Sequence, residues 1–273
     1  MRASLLQIAV DPDESADSRR RRVASLVREQ RGADLVVLPE LWPVGAFAFD
    51  SFEAAAEALD GPTFEAMSGA ARDAGVWLHA GSIVERAADG GLYNTSLVLS
   101  PAGELVRTYR KIHRFGFDKG EATLMEAGEE LATVRLPAGS AGPGLTLGLA
   151  TCYDLRFPEL FRGLTDAGAQ LFAVPAGWPA RRRAHWTLLA TARAVENQAY
   201  VLACATAGTH AGVEQSGHSI VVDPWGEVLA EAGTGEEVLT VDLDPGKVAV
   251  TREQFPVLRD RRLGLAAPSS RQG

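Results

Sequence analysis

The 273-residue sequence predicts an α/β protein, helices outside and strands inside, folded as one domain. Three observations carry that expectation. Short apolar runs alternate with amphipathic stretches along the chain, and many of those runs are almost wholly apolar, as strands covered on both faces require. No repeat, low-complexity tract or Ser/Pro-rich linker divides the series.

The elements follow in order. Residues 3–10 (ASLLQIAV) read as a strand closed by Asp11-Pro12. Ser15 or Asp17 can cap a helix over 15–31, and 33–38 (ADLVVL) is the next strand. Gly61-Pro62 opens a helix over 62–75. Strands are then expected at 76–84, 95–100, 144–151, 170–175, 199–207, 218–223 and 237–243, with helices at 158–167 and 184–197. The stretch 137–144 (PAGSAGPG) reads as a turn. The predicted domain covers residues 1–265, and 266–273 is a loose tail.

Composition excludes several classes. The 46% hydrophobic and 23% charged residues are ordinary for a globular protein, and a net charge of −8 disfavours nucleic acid or an anionic membrane as partner. No apolar stretch approaches the roughly 18 residues of a membrane span, and the opening MRASLLQIAV carries no cleavable signal pattern. Two cysteines, Cys152 and Cys204, form no disulfide framework and suit a reducing, cytoplasmic setting. There is no P-loop, dinucleotide fingerprint, G-x-S-x-G elbow or H-E-x-x-H, and the five histidines lack metal-ligand spacing; His210 and His218 read as loop or core residues. Chemistry without cofactor or metal is the expectation.

Cys152 ends the apolar run LTLGLAT and precedes YDLRFPE, which starts a helix. A strand-to-helix turn would present its thiol above a sheet with a lowered pKa and backbone N–H groups nearby. A buried structural thiol is the competing reading, and Cys204, inside AYVLACATA, fits that one. Glu40 closes LVVLPE and Lys111 lies in YRKIH; singly each reads as a surface charge. Jointly they supply what cysteine attack on an amide needs, a base for the thiol and a cation for the oxyanion. The runs Arg19–Arg22 and Arg181–Arg183 read as solvated surface, the second with a rival role as a positive rim for acidic substrates.

LVVLPE, YRKIH and TCYDLRFPELFR, in that order and 71 and 41 residues apart at Glu40, Lys111 and Cys152, resemble the carbon–nitrogen hydrolase (nitrilase) superfamily. GSIVE, YNTSLVLSPAGE, ARAVENQAYVLA and DPWGEVLAEAG extend the resemblance from about residue 3 to 255. It implies a four-layer α-β-β-α sandwich, a homodimer, and a catalytic Glu40–Lys111–Cys152 triad forming a thioester. A second glutamate beside the lysine is implied too, carried over to Glu121 with Glu126 as its rival. Tyr153 would lend its backbone N–H to the oxyanion. CYDLRFPEL most resembles the branch of ω-amidases and deaminated-glutathione amidases, which release ammonia from small carboxylate-bearing amides. Arg156 would then grip the substrate carboxylate, the alternative being an ion pair with Glu159. Trp178 would wall the pocket, the alternative being plain packing; Trp186 and Trp225 read as structural. Carbamoyl or nitrile hydrolysis on the same triad, acyl transfer to an amine, or a binding protein without catalysis are the other functions the residues allow.

Overall fold

In the computed structural model, which describes residues 1–137 and 143–263, the apolar runs assemble into two six-stranded sheets. The first holds β1 (Arg2–Gln7), β2 (Leu35–Val37), β3 (Trp77–Arg86), β4 (Leu92–Leu99), β5 (Leu105–Arg110) and, from the far end of the chain, β14 (Glu237–Asp242). The second holds β6 (Thr133–Arg135), β7 (Thr146–Leu149), β8 (Leu171–Ala176), β9 (Tyr200–Ala205), β12 (Ile220–Val222) and β13 (Val228–Glu231); β10 (Thr209–His210) and β11 (Val213–Glu214) pair separately. Each sheet has a parallel centre, β1-β2-β3 or β7-β8-β9, flanked by antiparallel strands.

Strict alternation explains the layering. Ala3 and Leu5 of β1 and Leu35 and Val37 of β2 join the core between the sheets, whereas Leu6, Val36 and Leu38 pack on Val23, Val27, Met67 and Ala71. Those four lie on α1 (Ala16–Arg28) and α3 (Pro62–Ala74), which cover the outer face. Leu160, Phe161 and Leu164 of α5 (Pro158–Asp166) and Trp186, Ala190 and Ala194 of α6 (Arg183–Asn197) cover the second sheet. The order is therefore α-β-β-α, as the resemblance implied. Ser15 caps α1, accepting from Ser18 N, and Pro62 occupies the first turn of α3 behind Gly61. Shorter helices, α2 (Phe52–Ala55), α4 (Glu121–Leu124) and α7 (Lys247–Gln254), fill connections.

One expectation needs correction. Arg19 is not solvated: it is 3% exposed and donates to the carbonyls of Asp11, Glu14 and Pro43, pinning the loop beyond β2. The helix expected over 158–167 forms as α5 from Pro158, and a 3-10 turn over Cys152–Arg156 leads into it. The middle of the turn at 137–144 and the tail from 266 lie outside the described residues. No helix among the described residues is long and apolar enough to cross a membrane.

Candidate active site

Open α/β sheets receive ligands at the carboxyl ends of their parallel strands. Glu40 lies three residues past β2, Cys152 three past β7 and Trp178 two past β8. Lys111 follows β5 directly, and Glu121 is the first residue of α4. The face-to-face packing of the sheets brings these ends together.

Local backbone chemistry sets each side chain. Gly81, in the bulge that interrupts β3 pairing with β4, has φ +68, and a Cβ there would stand 2.0 Å from the Pro39 carbonyl. Only glycine lets the Pro39-Glu40 segment approach so closely; Leu41 N then donates to Ser82 Oγ at 3.0 Å. Gly128 plays the same part for the lysine. Its N–H donates to Lys111 O at 2.9 Å, and a Cβ there would meet the Arg110 carbonyl at 2.0 Å.

The side chains converge on the lysine. Lys111 Nζ donates to Glu40 Oε1 at 2.7 Å and to Glu121 Oε2 at 2.6 Å. Asn94 Nδ2 bridges the same two carboxylates, at 2.8 Å from Glu40 Oε1 and 2.5 Å from Glu121 Oε1. Backbone N–H groups of Gly177 and Phe115 complete the set, each at 2.8 Å, on Glu40 and Glu121 respectively. Cys152 Sγ lies 3.5 Å from the Gly177 carbonyl. Glu126 is exposed, so geometry puts Glu121 and not its rival against the lysine.

Electrostatics overturns the lowered thiol pKa expected from local sequence. Burial, then the Glu40 charge, pushes the Cys152 thiol well above its ordinary value, and Lys111 only partly opposes them. Burial pulls the Lys111 ammonium down, but the Glu121 and Glu40 charges outweigh it and leave it well above the ordinary lysine value. Burial also raises Glu121, against the pull of Lys111. The resting arrangement is a neutral thiol beside a fixed ammonium.

Cys152 floors a cavity of about 370 Å³, counted with its open mouth. Phe47, Phe115, Tyr153 and Trp178 wall it, with Trp178 only 2% exposed and its Nε1 on the Arg182 carbonyl at 2.9 Å. Two guanidiniums stand at the rim: Arg156, over the Trp178 ring at 5.0 Å, and Arg182, over Phe115 at 5.5 Å. Arg156 does not pair with Glu159; its polar neighbour is His185 Nδ1 at 3.3 Å. Of the arginine run only Arg182 reaches the cavity, and Arg183 turns away to Glu231. Cys204 is fully buried between the sheets, its thiol 3.4 Å from the carbonyls of Leu6 and Val37, a packing residue.

Sequence reasoning missed Asn94, although its segment YNTSLVLS carries the resemblance. A polar residue on a strand inside a covered sheet was the available signal.

A thiol, two carboxylates and an ammonium at the strand ends of an α-β-β-α sandwich are a set suited to cysteine-dependent hydrolysis. Residues 2–253 match the carbon–nitrogen hydrolase family, and the chain belongs to it. It is 43% identical over 96% of its length to 2-oxoglutaramate amidase of Paenarthrobacter nicotinovorans, 90% of which is covered. With omega-amidase NIT2 of Mus musculus it shares 38% identity, over 99% of this chain and 98% of that one. Among solved structures, Saccharomyces cerevisiae Nit3, described as a member of branch 10 of the nitrilase superfamily, superposes with TM-score 0.84 at 32% identity over 96% of both chains. The protein is a carbon–nitrogen hydrolase acting on a small amide.

Proposed function

We propose that the chain is an ω-amidase, cleaving the terminal carboxamide of a small amide whose other end carries a carboxylate, such as 2-oxoglutaramate. The observation that carries this reading is the pair of guanidiniums, Arg156 and Arg182, at the rim of a small cavity floored by Cys152. Burial, then the charges of Arg181 and Arg156, holds the Arg182 guanidinium below the ordinary arginine value, and an arriving carboxylate would relieve that repulsion. The names of the two relatives agree with it.

Glu40, whose charge acts on the buried thiol, takes its proton as Cys152 sulfur attacks the amide carbon. The tetrahedral oxyanion is held by the Lys111 ammonium and the Tyr153 backbone N–H. Glu40 returns the proton to the nitrogen, the C–N bond breaks and ammonia leaves a thioester. Glu40 then takes a proton from water, hydroxide equivalent adds to the thioester, and the carboxylic acid departs as the thiol is restored. Glu121 orients Lys111 and keeps it charged, while Trp178 packs Arg156 into place.

We infer a cytoplasmic setting, which two unpaired cysteines favour. We also infer a homodimer. Leu188 and Val195 are 66% and 47% exposed two turns apart on α6, and Val195 packs on Gly226, the residue after Trp225, whose ring stacks on Phe255; we infer that a second copy covers these exposed apolar side chains.

Ammonia release from 2-oxoglutaramate, succinamate, deaminated glutathione, an N-carbamoyl-β-amino acid and a nitrile tests the substrate class. The carboxylate-bearing amides are expected to react, with kcat/KM falling about 10- to 100-fold in Arg156→Met or Arg182→Met. Activity confined to the carbamoyl compound or the nitrile, or indifference to both arginine substitutions, overturns the reading.

A further inference from the structure

Asp154 lies two residues beyond Cys152, is fully buried, and takes no part in the chemistry above. Its carboxylate nevertheless gathers hydrogen bonds from both sides of the active site. On the cysteine side, Thr151 N donates to Oδ2 at 2.8 Å, and the Asp154 N–H returns to the Thr151 carbonyl at 3.0 Å. This closes a ring around Cys152, which sits in the left-handed region at φ +48. A residue other than glycine persists there only where its surroundings over-determine it.

On the lysine side, Tyr109 OH donates to Asp154 Oδ2 at 2.7 Å, and His113 N donates to Oδ1 at 3.0 Å. His113 Nδ1 is a further partner of Oδ1 at 2.8 Å. Tyr109 is the penultimate residue of β5, and these two residues bracket Lys111. The Tyr109 hydroxyl also accepts from Ile112 N at 3.3 Å. The His113 ring lies flat on Phe157, centroids 3.7 Å apart and planes 6° apart, at the far end of the cysteine turn. One carboxylate thus ties the strained backbone under the nucleophile to both flanks of the cation that faces it.

We propose that Asp154 is a positioning residue that fixes Cys152 Sγ relative to the Lys111 ammonium, acting through Thr151 on one side and Tyr109 and His113 on the other. The inference rests on the reading of Cys152 as nucleophile and Lys111 as its cation. It adds the element that couples them. Tyr109 and His113 are then arms of the coupling, and a change at either arm is felt at the thiol without touching it.

The test uses the intact protein carrying Asp154→Asn, Tyr109→Phe, or both. Two quantities are read: kcat and KM for amide hydrolysis, and the pH profile of Cys152 alkylation by iodoacetamide, located by peptide mass. Asp154→Asn is expected to lower kcat at least about 10-fold with little change in KM. It should also move the alkylation profile to higher pH, because a displaced ammonium stabilises the thiolate less. Tyr109→Phe should do the same to a smaller extent, and the double variant should be no worse than Asp154→Asn alone. Folded variants with the wild-type alkylation profile, even at reduced melting temperature, overturn the proposal, as do fully additive effects. Should Asp154→Asn fail to fold, Tyr109→Phe carries the test alone. Silence of the wild type on every amide would refute the amidase reading, whereas an unmoved alkylation profile refutes this one.

Discussion

The Lys111 ammonium donates to Glu40 Oε1 at 2.7 Å across 71 residues of chain, and holds Glu121 at 2.6 Å with a second N–H. Lys111 is 1% exposed and both carboxylates are buried. Breaking such a set by removing one partner leaves charge uncompensated, at a cost of about 3–5 kcal/mol. Lys111→Met is therefore expected to lower stability by that amount in urea titration and to cut kcat about 100- to 1000-fold. Adding Glu121→Gln to it should recover part of the stability and none of the activity. A full recovery of kcat would mean that the ammonium does not serve the oxyanion.

Asn94 bridges the two glutamates through a single amide nitrogen. Asn94→Ala should destabilise the protein by about 1–3 kcal/mol, because each carboxylate loses a buried donor. Asn94→Asp should be worse in kcat, since it sets a third carboxylate against two. Paired melting and steady-state measurements on the two variants check the order. An Asp variant as active as wild type would remove Asn94 from the positioning of Glu40.

Glu40, Lys111 and Cys152 were legible as a set because Glu40 and Cys152 each follow an apolar run, and the order and separation of the three are unusual together. Glu121 was harder, since Glu126 lies in the same short segment; only the 2.6 Å contact with Lys111 separates it from the exposed Glu126. Elements at the periphery gave little signal. β5 (LVRTYR) and β13 (VLAE) are edge strands whose exposed faces break the apolar run, and α7 (KVAVTREQ) has almost no apolar face. Arg19 was misread because one buried residue in a run of four arginines has no local mark. The direction of the thiol pKa depends on burial and on Glu40, 112 positions away, which no local pattern encodes.

Gly81 tests how tightly the Glu40 segment is set. Gly81→Ala would put a Cβ 2.0 Å from the Pro39 carbonyl at φ +68. A shift of Pro39-Glu40 must follow, with a stability loss of about 1–3 kcal/mol. The expected signature is a fall in kcat larger than the loss of folded protein, read by activity per alkylatable Cys152.

Acid stability offers a separate check. Burial holds His79 and His210 at about 4, whereas their unfolded value is near 6.5. Between those limits the unfolded chain binds more protons than the folded one, so stability falls as pH falls. The slope is about 1.4 kcal/mol per pH unit for each histidine. Urea titrations from pH 7 to 4.5 should show His210→Gln losing less stability on acidification than the wild type. Equal losses would mean that His210 is protonated in the fold.

The most direct measurement is the intact and peptide mass of enzyme quenched during turnover of a carboxylate-bearing amide, with ammonia counted in the same sample. Hydrolysis through a thioester predicts an acyl adduct on the peptide containing Cys152, none on that containing Cys204, and no ammonia from Cys152→Ala. Ammonia release by folded Cys152→Ala, or an adduct confined to another residue, would contradict it.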